Sequence, residues 1–452
     1  MATTASGQPV SLVLTQSMPL RFATLLLFYF TQGFPVGLFF YAIPTWMAAN
    51  GVGTVEIASV VGIAALPWSL KLVNGFLIDR YTFLPMGRRR VWIIGAQGLI
   101  VVALVGGAVL YPSAQDVLLL SVLGFVANAA VTFQDVGIDS LAVDIMPEKE
   151  RAQAGGIMGG AQLVGIAATT AVGGWLLAEF GIAVCLLVGA VVPGLVMLFG
   201  IAIREREGER HLPWTAGESH PRNLKIQVEA WAPLLKNSFF AVIMPLSLLL
   251  IPALFVRSLP WGGFEAFHPV LFQETGGWEL TEYTSFISLL TFVSGVMGIL
   301  VGGFLTEKVG AQRTLVFALI IGIVAMTAMG FASEHWADSR VLIGFQVTMD
   351  MMQIFYFIAQ ITLSMRMCKP AVAATQFTIY MAVGNFGRPA GAWLAAQTAG
   401  AGTPEWFYWS LAIAWLLVLG IALSVKYPSE NRAQHQVAEE LPHGEGPPAR
   451  VN

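Results

Sequence analysis

Apolar runs long enough to cross a bilayer alternate with short polar turns along almost the whole chain. A span needs about 20 apolar residues. Twelve stretches meet that need: 21–47, 55–78, 91–111, 117–144, 151–178, 182–203, 239–268, 282–306, 314–332, 338–365, 371–397 and 405–426. The pattern predicts an all-α membrane protein. Residues 1–19 form a polar N-tail without the basic and apolar segments of a signal peptide, and 427–452, rich in Pro, Glu, His and Gly, read as a disordered C-tail. Residues 204–238 are the longest polar stretch between spans and are taken as a linker between two six-helix halves, 20–203 and 239–426.

The two halves repeat one another. Gly75-Phe76-Leu77-Ile78-Asp79-Arg80 followed by Gly87-Arg88-Arg89-Arg90 has a counterpart in Gly302-Gly303-Phe304-Leu305-Thr306-Glu307-Lys308 followed by Gly310-Ala311-Gln312-Arg313. Phe34-Pro35-Val36-Gly37-Leu38-Phe39 of helix one matches Leu259-Pro260-Trp261-Gly262-Gly263-Phe264 of helix seven, and Pro44 matches Pro269. Proline removes a helix hydrogen bond and glycine permits unwinding. Paired interruptions in corresponding spans point to a substrate path.

Composition agrees with the pattern. The 452 residues are 56% hydrophobic and 11% charged, against roughly 25% charged in soluble domains. The net charge of −3 argues against a nucleic-acid partner. Two cysteines, Cys185 and Cys368, fall on or at the ends of separate apolar runs, which argues against a disulfide framework or a metal centre; no cofactor is expected. Arg80, Arg88, Arg89, Arg90, Lys149, Arg151, Lys308, Arg313, Arg366, Lys369, Lys426 and the linker residues Arg204, Arg206, Arg210, Arg222, Lys225 and Lys236 fall on one side, with Arg340 almost alone on the other. The positive-inside rule then places both termini and the linker in the cytoplasm.

Charges inside spans cost roughly 2.5–3.5 kcal/mol each and are functional by default. Helix four carries Thr132, Gln134, Asp135, Asp139 and Asp144. Asp135 and Asp139, four apart, share a helical face. The charge on one opposes ionisation of the other, which favours reversible proton binding. Asp144, near Arg151, is expected to pair with loop arginines and latch a gate. Lys71 in helix two either snorkels to the interface or partners the helix-four acids. In the second half Arg257 aligns with Gln32 near mid-membrane. Arg388 sits deep in helix eleven, and its bland partner is Asp350 or Glu265. A guanidinium that keeps its charge is a natural partner for a solute carboxylate or phosphate. His268 beside Pro269 reads as a packing residue. The charged turns, with Asp79, Arg80, Arg88, Glu307, Lys308 and Arg313, are expected to gate; Asp79 and Glu307 are suited to accept from a facing helix N-terminus.

The paired turns resemble the loop between helices two and three of the major facilitator superfamily and its copy between helices eight and nine. Within that superfamily, Thr132-Phe133-Gln134-Asp135-Val136-Gly137-Ile138-Asp139, Leu66-Pro67-Trp68-Ser69-Leu70-Lys71 and Gln32-Gly33-Phe34-Pro35 resemble a branch of muropeptide permeases, acetyl-coenzyme A transporters and siderophore permeases. Muropeptide permeases often carry two further helices, which the pattern here lacks. The resemblance implies two pseudo-symmetric six-helix bundles and an inner-membrane importer driven by the proton gradient, with Gln134 and Asp135 in transport. The expectation is a monomer embedded in lipid, with protons and a small organic solute as partners. Asp135 and Asp139 would bind the proton; Gln32, Lys71, Gln134, Arg257, Glu265, Asp350 and Arg388 would meet the solute. Phe255, Leu259, Trp261, Phe264 and Phe267 of helix seven and Phe355, Tyr356 and Phe357 of helix ten suggest an amphiphilic or partly aromatic one. A proton-independent facilitator, a membrane acyltransferase and a non-transporting assembly factor are the competing classes. The scattered histidines disfavour the enzyme.

Overall fold

The computed structural model describes residues 12–224, 236, 240, 242–368 and 373–428. Lys225, Lys369, most of the linker beyond 224 and nearly all of both tails lie outside the described residues. Every element that crosses is helical: α1 (Met18–Ala49), α2 (Thr54–Ser69 continued by Lys71–Arg80), α3 (Arg90–Leu110), α4 (Val117–Ile145), α5 and α6 (together Glu148–Ala202), α7 (Pro245–Thr275), α8 (Leu280–Val309), α9 (Ala311–Phe331), α10 (Ser339–Met367), α11 (Ala373–Gln397) and α12 (Pro404–Ser424). These overlap the twelve predicted spans, with α7 displaced to Pro245–Thr275 from the predicted 239–268.

Three local features shape the set. Gly181, at φ 77° and ψ −179°, parts α5 from α6 with almost no loop; a side chain there would be strained. Pro67 precedes a 44° bend in α2 at Leu70, so that Lys71 opens the second segment. In α11 the polar residues Gln376, Asn385 and Arg388 dilute an otherwise apolar span. The interruptions of α1 and α7 are only partly parallel. A wide π turn occupies Leu38–Ala42 in α1, whereas α7 breaks at Ser258 and widens at Leu271–Thr275.

Packing follows the repeat. In the first half α1 lies on α5, α3 on α6 and α4, and α2 on α4. In the second half α7 lies on α11, α9 on α12 and α10, and α8 on α10. Small residues set these distances. A Cβ on Gly37 would lie 2.8 Å from the Ile166 carbonyl oxygen, and one on its counterpart Gly262 would overlap the Arg388 carbonyl. Large apolar side chains such as Val109, Leu118, Phe331 and Leu417 face outward, as lipid solvation requires.

The halves meet mainly through α2 with α11 and α7, and α5 with α8. Hydrogen bonds joining them include Gln273 Nε2 to the Thr45 carbonyl (2.9 Å), Ser288 Oγ to the Ala167 carbonyl (2.7 Å) and Asn385 Nδ2 to the Trp68 carbonyl (2.9 Å). These lie away from the linker. Nearer the linker end, Gly159 and Gly303 line the cavity between the halves, and a Cβ on either would meet nothing within 4 Å. The N-terminal segment shares that end: Leu14 N–H donates to the Arg204 carbonyl at 2.9 Å.

The first part of the linker is folded, a feature its polar composition did not announce. Glu205, fully buried, accepts the backbone N–H groups of Arg88 (2.9 Å), Arg89 (2.7 Å) and Arg90 (2.7 Å) and so caps α3. Arg90 is not a surface determinant. It is 1% exposed and donates to the carbonyls of Met86, Arg210 and His211 at 2.9–3.1 Å. Beside it, Glu209 accepts from Arg206 N–H (2.9 Å) and Asn223 Nδ2 (3.0 Å).

Candidate functional site

The charged residues of the spans fall into two groups. In the first half the bend at Leu70 carries Lys71 toward α4, where its ammonium contacts Asp135 and lies 3.7 Å from Asp139 Oδ2. Lys71 therefore partners the helix-four acids and does not simply snorkel. Tyr29 of α1 donates its hydroxyl to Asp139 Oδ1. The Asp135 side chain is 5% exposed and that of Asp139 is 45% exposed. One carboxylate is locked in protein and the other is open on one side. Around them Asn74 Nδ2 donates to Thr132 Oγ1 (2.8 Å) and Trp68 Nε1 to Asn128 Oδ1 (3.0 Å), which fix α2 against α4.

The second group lines a cavity of about 630 Å³ between the halves. Arg257, Glu265, Asp350 and Arg388 all reach it. Arg388 and Glu265 form a two-bond pair, Nε to Oε2 at 2.8 Å and Nη2 to Oε1, and the guanidinium sits 3.5 Å from the Phe40 ring centre. Arg257 is 3% exposed, has no acidic partner among the described residues, and packs against the neighbouring rings of Trp261 (4.9 Å) and Phe357 (4.8 Å). Its Nε and Nη1 make no hydrogen bond. Asp350 accepts from Ser294 Oγ at 3.4 Å.

Several expected roles shift. Gln32 and Gln134 are buried and do not line this cavity. Gln134 Nε2 donates to Gln97 Oε1 (2.7 Å) and joins α4 to α3, while Gln32 Oε1 accepts from Gln162 Nε2 (2.9 Å). Lys71 also lies off the cavity wall, and the first half contributes Phe40, Tyr41, Trp68 and Gln162 instead. Of the large apolar and aromatic residues noted in sequence, Trp261, Phe264 and Phe357 line it; Phe255, Leu259, Phe267, Phe355 and Tyr356 do not. Tyr356 donates to the Ala253 carbonyl at 2.9 Å. His268 is buried among aromatic rings, hydrogen-bonded to Gln346 (2.5 Å) and Tyr408 (3.2 Å).

The charged turns also differ between the halves. Asp79 pairs with Arg89 (2.6 Å) and Arg88 (3.8 Å), and Arg89 reaches Asp144 (3.4 Å). Asp79 thus meets arginine side chains and not a helix N-terminus. Its centre, Arg89, was legible only as a topology determinant. Arg80 and Arg151 are exposed. Glu307, Lys308 and Arg313 are exposed and enter no ion pair among the described residues; Lys308 rests 4.3 Å from the Phe304 ring centre. Arg21 with Glu150 (2.8 Å) is a buried pair that sequence reasoning missed. Its members lie on α1 and α5 with no local signal linking them.

The pattern of the Major Facilitator Superfamily matches residues 25–392. Curated relatives include the anhydromuropeptide permease of Escherichia coli (strain K12), 23% identical over 386 residues, spanning 81% of this chain and 72% of that protein. The folate-biopterin transporter of a Synechocystis species is 25% identical over 380 residues, spanning 79% and 70%. Solved structures of similar fold include the nucleoside transporter NupG, with TM-score 0.67 and 11% identity over 89% of this chain and 98% of that one. Another is a bacterial homolog of the human lysosomal transporter Spinster in an inward-facing and occupied conformation, with TM-score 0.63 and 16% identity over 89% and 95%.

Proposed function

Because the chain belongs to the major facilitator superfamily of transporters, we propose that it is a proton-coupled importer of an organic, anionic or amphiphilic solute across the inner membrane. The observation that carries this reading is one ammonium held against two carboxylates. Lys71 balances one negative charge, and the second remains. A proton on the Asp135–Asp139 pair makes the cluster neutral, which lowers the cost of closing it away from water. Release on the cytoplasmic side restores the charge. Each charge moved gains about 2.3 kcal/mol per 100 mV of membrane potential.

The solute-facing wall is Arg257 with Asp350 and the Glu265–Arg388 pair. Arg257 supplies a guanidinium with no acidic partner among the described residues, its Nε and Nη1 unbonded, and a carboxylate or phosphate is its natural partner. Lys71 belongs to the proton cluster in this reading, and Gln32 and Gln134 hold helices together. The basic residues, the N-terminal segment and the linker share one end, which supports a cytoplasmic location for both termini. The cavity opening toward that end is then inward-facing, and rocking of the halves exposes it alternately. The Asp79–Arg89–Asp144 cluster braces the cytoplasmic ends of α2, α3 and α4 during that motion.

The test is uptake into proteoliposomes under an inward pH gradient. An anhydromuropeptide and a folate serve as solutes, since the two relatives are named for such compounds. Asp135→Asn is expected to abolish accumulation against a gradient while the protein remains in the membrane. Undiminished accumulation by that variant removes the role given to Asp135, and uptake indifferent to pH removes proton coupling.

A further inference from the structure

Two charges of opposite sign on one cavity wall have no charged partner within the described protein. Arg257 is the positive one. It is 3% exposed, its buried Nε and Nη1 make no hydrogen bond, and it packs against the rings of Trp261 and Phe357 on the cavity wall. Asp350 is the negative one, steadied by Ser294 Oγ at 3.4 Å and facing no Lys or Arg within ion-pair reach among the described residues. The obvious cation, Arg388, is held in two bonds by Glu265. Arg257 and Asp350 do not pair with each other either. Leaving two opposite charges unpaired in a mostly apolar space is costly unless something else satisfies both.

We propose that the solute is zwitterionic. Its oxyanion group meets Arg257 and its ammonium group meets Asp350, with an aromatic or apolar body against Trp261 and Phe357. This rests on the cavity being the solute site, as above, and adds the second charge. Glu265 is excluded as the ammonium site because Arg388 occupies both of its oxygens. Selectivity follows from the same arrangement. A solute lacking either charge leaves one protein charge buried and unpaired, so it is rejected even though the remaining contacts survive.

The experiment uses the purified full chain and three matched probes: phenylalanyl-alanine with free ends, its N-acetyl form and its C-terminal amide. Binding is read by quenching of tryptophan fluorescence and by thermal stabilisation. The wild-type protein is expected to bind the free dipeptide about tenfold tighter than either blocked form. Asp350→Asn is expected to abolish the preference for the free amine and keep that for the free carboxylate; Arg257→Gln is expected to do the reverse. Blocking the ligand tests the idea on wild-type protein, so it stands even where a variant fails to fold. Equal binding of the free and N-acetyl forms, with the carboxylate preference intact, overturns the zwitterion and leaves the anionic solute standing. Loss of the carboxylate preference overturns both. Failure of the free dipeptide to bind at millimolar concentration also overturns the zwitterion.

Discussion

Removing Lys71 exposes how the first-half cluster is balanced. At 3.7 Å, Lys71 and Asp139 attract by about 4.5 kcal/mol at an effective dielectric of about 20. That figure shrinks to about 0–1 kcal/mol because the Asp139 side chain is 45% exposed. Asp135 is different. Its side chain is 5% exposed and its carboxylate touches the ammonium. Breaking a buried pair of this kind costs about 3–5 kcal/mol, whereas removing both members is often near neutral. Lys71→Met and Asp135→Asn are therefore each expected to destabilise by about 3–5 kcal/mol, and Asp139→Asn by about 1 kcal/mol or less. The double variant Lys71→Met/Asp135→Asn is expected to recover to within about 1–2 kcal/mol of wild type yet fail to accumulate solute. The assay is a double-mutant cycle on the fraction of monodisperse protein that survives heating in detergent, with uptake measured alongside. Additive losses in the double variant, or a Lys71→Met protein as stable as wild type, would refute the charge-balance reasoning.

Other outcomes follow from packing and from the folded part of the linker. Glu205→Gln leaves at least one of the three capped N–H groups without an acceptor. It is expected to cost about 1–3 kcal/mol, seen as faster proteolysis of the linker; unchanged proteolysis would contradict the cap. Burial, and then the neighbouring Glu205 charge, push Glu209 up from 4.5 to about 7. The folded linker thus favours the neutral acid, so this contribution is full below pH 4.5 and is lost as pH rises through about 7. Linker proteolysis should accelerate over that window, and Glu209→Gln should flatten the dependence. Gly37→Leu places its Cβ 2.8 Å from the Ile166 carbonyl oxygen and should abolish membrane-inserted protein, whereas Gly155→Ala, with nothing within 4 Å, should express normally.

What could be read from the chain was whatever repeats or breaks locally. The gap between the predicted spans 151–178 and 182–203 falls where Gly181 turns the chain at a φ that only glycine adopts without strain. The four-residue spacing of Asp135 and Asp139 put both acids on the face that Lys71 meets, although the bend after Pro67 that brings Lys71 there was not foreseen. What could not be read was which distant side chain each polar group would find. Tyr29 reaching Asp139, Gln134 turning to Gln97, and Glu205 capping α3 from 115 residues away are products of tertiary packing. Nothing in composition separates Arg257, left free, from Arg388, held by Glu265; the difference lies in which turn of α7 faces which turn of α11. The repeat misled at the charged turns, where similar sequences yield an ion-pair cluster in one half and exposed side chains in the other.

The distribution of charge also bears on how the halves move. No ion pair among the described residues joins the two halves: Lys71 with Asp135 and Asp139, Arg21 with Glu150, Arg88 and Arg89 with Asp79, Arg89 with Asp144 and Arg388 with Glu265 each lie within one half, and Arg206 with Glu205 lies in the linker. The halves are joined instead by helix packing and by neutral hydrogen bonds such as Gln273 to Thr45, Ser288 to Ala167 and Asn385 to Trp68. A neutral hydrogen bond is worth about 1 kcal/mol net, and its groups find water or each other with little penalty when the interface parts. A buried ion pair across the same interface would cost about 3–5 kcal/mol to break. Strong interactions inside each bundle and weak ones between them let each half move as a rigid body. Within the spans, the helix-four carboxylates that share one ammonium, and Arg257 and Asp350 with no charged partner among the described residues, are then the groups through which a proton or a solute can shift the balance between closed and open arrangements.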